Sequence, residues 1–153
     1  MLLSVGVFAG HWYYKEYVLP MREARPILKA LKSNDPLKAL DDPSNSAYNL
    51  LIYPNGSKDL FTGHAAYKIR KEFLRVLSNT EDPEYRRSLL FLIVMITQTR
   101  EDSCIQFEEE DWDIIATNVD RVNKEDGNTG QKIWQIHQFD GFKILMFPIA
   151  PIP

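Results

Sequence analysis

The sequence predicts an α+β fold, with an antiparallel, hairpin-built sheet packed against about four helices and residues 83–99 as the central buried helix. Three observations predict it. Asn55-Gly56 and Asp140-Gly141 each sit between apolar runs, and these residue pairs tolerate the positive φ of a tight hairpin turn. Ala66, Ile69, Phe73, Val76 and Leu77 recur at helical spacing across 63–78. Leu89 to Ile96 is wholly apolar and follows Asp82-Pro83-Glu84, a cap, a proline at the first helical position and an acid suited to the helix dipole. Such an element is expected at the centre of a fold.

The remaining elements follow in chain order. Residues 15–33 read as helix, with kinks or a split expected at Pro20 and Pro26, because proline removes a helical hydrogen bond and crowds the preceding turn. Asp35-Pro36 starts a short helix whose inner side is Leu37 and Leu40. Asp41 to Ser46 is a polar loop, and 47–53 and 58–61 are the strands of the first hairpin. Asn55-Gly56-Ser57 also fits a glycosylation sequon, but the turn accounts for the same residues. Ser103 to Phe107 is a candidate short strand. Glu108-Glu109-Glu110-Asp111 opens a helix reaching about Asn123, with Trp112, Ile115, Val119 and Val122 inward. Gly127 and Gly130 punctuate a polar loop, and Ile133–Phe139 with Phe142–Phe147 form the second hairpin. The closing prolines extend the tail.

A chain of 153 residues fits one domain, so residues 15–153 are taken as a single globular unit behind a separate segment, 1–14. That segment has two readings. Leu2 to Ala9 is apolar apart from Ser4, and His11-Trp12-Tyr13-Tyr14 follows. It is either an internal strand or buried helix end, or the remnant of a signal anchor with an interfacial aromatic belt. It is shorter than the roughly 20 apolar residues of a membrane span and lacks the positive leader of a signal peptide. The cytoplasm is the leading expectation for the compartment. Cys104 is the single cysteine, so no intramolecular disulfide forms.

Charge is uneven. Met1 to Leu77 carries 11 Lys/Arg and 7 Asp/Glu, whereas Ser78 to Pro153 carries 7 and 14. Ten of those acids lie between Glu101 and Asp126. The surplus of acid disfavours nucleic-acid binding and favours a partner with a basic surface.

Catalytic and cofactor signatures are sparse, and neither cofactor nor metal is expected. His11, His64 and His137 fall in different elements without metal-ligand spacing. Gly127-Asn128-Thr129-Gly130-Gln131-Lys132 fails the P-loop spacing, an EF-hand register puts Val122 at the first ligand position, and no GxSxG elbow exists. The acids beside Cys104, Glu101 and Asp102, oppose a reactive thiolate. Glu108 and Asp111, one turn apart, could share a face as an acid/base pair or Mg²⁺ ligands, though acid runs at helix starts are usually solvated. Lys68, Lys71 and Arg75 form a basic helical side that reads as a solvated face.

The leading functional expectation is therefore a non-enzymatic binding domain. Its candidate partner-binding residues are Glu108, Glu109, Glu110, Asp111, Asp113 and Asp120, arrayed to bind or neutralise a basic protein. The likeness to immunity proteins is one of size and charge only. Two alternatives stand beside it: an extracytoplasmic domain tethered to a membrane through the N-terminus, for envelope assembly or secretion, and an enzyme whose site gathers dispersed residues such as His137 and an acid of 108–113.

Overall fold

A computed structural model describes residues 2–45, 47, 63–98, 107–127, 134–139 and 142–146. The protein is α+β and mostly helical, with one two-stranded antiparallel sheet among the described residues. Backbone contacts group it into two compact units, Met1–Glu72 and Phe73–Pro153, each described by itself below.

The first unit begins with α1 (Leu2–Tyr13), a wide π-helical turn (Tyr14–Val18) and α2 (Leu19–Leu31). Residues 2–9 are thus helical, not a strand. Nor is the described end of this segment buried: Val7 and Phe8 are 70% and 81% exposed. The expected break in 15–33 is the π turn. The Leu19 N–H donates to the Tyr14 carbonyl, five residues back. Pro20 has no N–H to offer and its ring crowds the turn before it, so widening that turn relieves the conflict without ending the helix. Pro26 lies inside α2, which continues through it. The α2 residues Ala24, Ile27, Ala30 and Leu31 are buried, at the three- and four-residue spacing that puts them on one side.

The short helix α3 (Pro36–Asp41) packs against α2 and starts as expected. The Asp35 carboxylate accepts the Lys38 N–H at 3.1 Å, and Leu40 is buried. Asp42 then closes a tight turn by accepting from both the Ser44 N–H at 2.9 Å and its hydroxyl at 2.7 Å. Ala47, the first residue of the expected hairpin, is helical and buried. The rest of that hairpin, including Asn55, lies outside the described residues. Helix α4 (Gly63–Asn79) follows the predicted period from Ile69 onward, with Ala65, rather than the expected Ala66, and Ile69 buried in the first unit and Phe73, Leu74, Val76 and Leu77 in the second.

The second unit continues with α5 (Pro83–Gln98), α6 (Glu109–Gly127) and the strands β1 (Gln135–Phe139) and β2 (Phe142–Met146). Asp82 caps α5, accepting the Glu84 N–H at 2.9 Å and reaching the Tyr85 N–H at 3.4 Å. Leu89, Leu90 and Ile93 are fully buried, while Phe91 leaves its ring 45% exposed. α5 packs against both α6 and β2. The second hairpin is in the predicted register, Phe139 opposite Phe142 around Asp140-Gly141. Helix α6 runs to Gly127, past the expected end near Asn123, and buries Trp112, Ile115, Val119 and Val122 as predicted. The candidate strand at 103–107 and the loop at 128–133 lie outside the described residues, apart from Phe107, which belongs to no strand.

Candidate functional site

Two surfaces carry most of the exposed chemistry of the described residues. The first is the acidic start of α6, where the sequence places its candidate binding residues. At about 100° per residue, Glu109, Glu110, Asp113 and Asp120 fall within an arc of about 100° opposite the buried Trp112–Val122 side. All four are exposed, as is Glu108.

Asp111 departs from that set. It is fully buried, and its Oδ2 accepts the Glu108 backbone N–H at 3.0 Å. Glu108 is the residue at which the helix begins, its carbonyl accepting from the Asp111 and Trp112 N–H groups at 3.0 and 3.2 Å. Asp111 therefore supplies the returning half of a capping box, and its carboxylate is committed to folding. Just outside, the Phe107 and Trp112 rings meet edge to face at 5.8 Å, the hydrophobic staple that accompanies such a start. The pairing of Glu108 with Asp111 is thus a cap rather than an acid/base couple.

Other acids are matched internally. Glu109 is bonded to Lys143 of β2. Near the other end of α6, Glu125 takes the Arg86 guanidinium at 2.9 Å and Asp126 takes Arg87. The Arg87 guanidinium holds its proton even more firmly than usual, first because of its hydrogen bond to Asp126. The acidic surface is consequently narrower than the acid count suggests; Glu108, Glu110, Asp113 and Asp120 are exposed on it.

The second surface was not singled out by charge counting. In the first unit, an open groove of about 630 Å³ runs beside α2. Tyr13, Tyr17, Arg22, Arg25, Lys29 and His64 line it together with the apolar Met21 and Leu28. Arg22, Arg25, Lys29 and Lys32 recur at intervals of three and four, so they share the side of α2 opposite Ala24, Ile27 and Leu31. Lys32 faces Glu72 at 3.7 Å; among the described residues no carboxylate pairs with Arg22, Arg25 or Lys29. The π turn brings the aromatic residues onto the same line. Tyr13 stacks on Tyr17 at 5.4 Å, and Trp12, five residues from Tyr17, meets it edge to face at 5.9 Å. The Tyr17 ring in turn lies 5.7 Å from His64. A signal for this stripe exists in the sequence, as the i, i+3, i+7, i+10 run from Arg22 to Lys32, but summing charge over half the chain hides it.

Elsewhere the chemistry is modest. His137 lies 3.0 Å from the Gln135 side-chain oxygen and stacks near Phe139, with no carboxylate partner among the described residues. His11 is exposed on α1. No group of three or more His, Cys, Asp or Glu residues suited to a metal occurs among the described residues, and Cys104 lies outside them. No family model, no curated protein and no solved structure matches this chain.

Proposed function

We propose that this protein is a binding domain that attaches to a membrane surface through its N-terminal helical arm. One observation carries the reading: a run of exposed apolar and aromatic side chains that a water-facing helix would not keep. Val7, Phe8, Trp12, Tyr13, Tyr14, Tyr17 and Val18 are between 38% and 81% exposed. Contiguous apolar surface of this kind marks an interaction site, and Trp and Tyr favour the boundary between lipid and water. Along the chain, an apolar stretch is followed by the aromatic cluster and then by the basic stripe of α2, which matches the order of hydrocarbon, interface and headgroup charge. No helix among the described residues is long and apolar enough to cross a membrane.

Vesicle flotation tests this directly. The intact chain floats with phospholipid vesicles, and Phe8→Ser with Trp12→Ser abolishes flotation while leaving the far-ultraviolet spectrum unchanged. Flotation equal to that of the wild type in the double variant would remove the proposal.

A second reading keeps the acidic side of α6 as a surface for a basic protein partner. It is supported by Glu110, Asp113 and Asp120, which lie opposite the buried side of the helix. Their joint replacement by lysine weakens capture of that partner and inverts its salt dependence, with the fold intact. Capture unaffected by the triple change would sink this reading.

A further inference from the structure

We infer that the groove beside α2 seats the phosphate-bearing headgroup of an anionic lipid, through Arg22, Arg25 and Lys29. The inference rests on the membrane-surface reading and adds to it a lipid chemistry and a set of residues.

Three features of the groove select this occupant. Its lining includes three cations with no carboxylate partner among the described residues, and such a surplus attracts an anion. Val18, Met21 and Leu28 line it as well, so the groove suits a molecule that joins a phosphate to an apolar body. Its aromatic end, Tyr13 and Tyr17, continues into the exposed apolar side chains of α1. Tyr17 and Arg22 are five residues apart, about 8 Å of helix, which keeps the guanidinium within roughly one Debye length of an interface that holds the tyrosine ring.

A free phosphate ion would use the cations and leave the apolar lining wet. Single-stranded nucleic acid would also use rings and cations. It offers nothing, however, to Val7 and Phe8, the most exposed large apolar side chains among the described residues of the arm. Arginine suits the phosphate because its planar donors engage two oxygens at once. Juxtamembrane basic residues near an anionic surface each strengthen binding roughly fivefold.

The test uses the full chain and two kinds of vesicle, phosphatidylcholine alone and phosphatidylcholine doped with phosphatidylserine. Three proteins are compared: the wild type, Arg22→Gln/Arg25→Gln/Lys29→Gln, and Phe8→Ser/Trp12→Ser. The neutralised triple variant is expected to lose roughly a hundredfold in affinity for the doped vesicles and nothing for the neutral ones. A charge-keeping variant, Arg22→Lys/Arg25→Lys/Lys29→Arg, recovers part of the doped-vesicle affinity that the neutral variant loses, which separates lost charge from lost fold. If the triple variant binds doped vesicles as the wild type does while Phe8→Ser/Trp12→Ser does not bind, the groove assignment is overturned and the membrane reading stands. Absence of wild-type binding to either vesicle overturns both. Binding of inorganic phosphate or a single-stranded oligonucleotide as tightly as doped vesicles, lost in the triple variant, assigns the groove to that ligand and overturns the lipid.

Discussion

Asn123 of α6 clamps both backbone polar groups of Trp134: its Oδ1 accepts the Trp134 N–H at 2.7 Å and its Nδ2 donates to the Trp134 carbonyl at 2.9 Å. The side-chain amide imitates a neighbouring strand just before β1 begins. Because Trp134 is 3% exposed, neither backbone group has water to fall back on. Asn123→Ala should therefore destabilise the protein by about 2–4 kcal/mol, because two buried hydrogen bonds are lost together. Asn123→Asp keeps the acceptor and loses the donor, so it should fall between the two. Urea unfolding followed by tryptophan emission measures both; a loss below about 0.5 kcal/mol for the alanine variant would contradict the clamp.

Asp111 offers a contrast with its exposed neighbours. Removing its bond to the Glu108 N–H by Asp111→Ala should destabilise by about 1–2 kcal/mol, whereas Asp113→Asn on the solvent side should stay within about 0.5 kcal/mol. Asp111→Asn, which retains an acceptor, should recover most of the loss. Equal effects at positions 111 and 113 would mean that Asp111 is not capping the helix.

Arg87 and Asp126 tie α5 to α6, with the Arg87 Nε 2.9 Å from the Asp126 Oδ1. Asp126 is 3% exposed and Arg87 keeps a quarter of its side chain in water. Arg87→Met takes the guanidinium away from a nearly buried carboxylate and should destabilise by about 2–4 kcal/mol near neutral pH. Arg87→Met with Asp126→Leu should be less damaging than Arg87→Met alone, because no charge is then left behind. A double variant as unstable as the sum of the singles would show that the pair is not coupled.

Asp42 carries the clearest pH signature. Its carboxyl titrates below its ordinary value of 3.8, chiefly because the Ser44 hydroxyl and then the Ser44 N–H donate to the ionised form. A depressed folded-state value means that the turn contributes stability above the unfolded value and loses it as pH falls through the folded one. Carbon-13 NMR of the carboxyl should place the midpoint below 3.8, and Ser44→Ala should move it upward. A midpoint at or above the ordinary value would dissolve this account of the turn.

What could be read from the sequence was what neighbours along the chain determine. Asp82 and Asp35 are caps because their carboxylates reach N–H groups two or three residues on. The hairpin at Asp140-Gly141 and the period of α4 are legible for the same reason. The roles of the acids were not legible, since Arg86–Glu125 and Arg87–Asp126 join residues 39 apart, and nothing local announces the pairing. Asp111 misled because an acid in the first turn suits both the dipole and a solvated surface; the spacing of Phe107 to Trp112 was the overlooked sign of a staple. The N-terminal arm is ambiguous in the sequence because residues 2–9 lack any polar period, and an apolar run interrupted only by Ser4 reads equally as buried strand or helix. The groove was missed because its basic stripe is diluted by the acids around it in sequence.

The placement of Trp12 decides the central claim most directly. Trp112 and Trp134 are 6% and 3% exposed, against 57% for Trp12, so a quencher carried on lipid chains reaches Trp12 far more readily than the two core rings. Adding vesicles that contain doxyl-labelled lipid should quench the wild-type emission, and the quenched fraction should disappear in Trp12→Phe. Emission equally insensitive to those vesicles in both proteins would contradict attachment through the N-terminal arm.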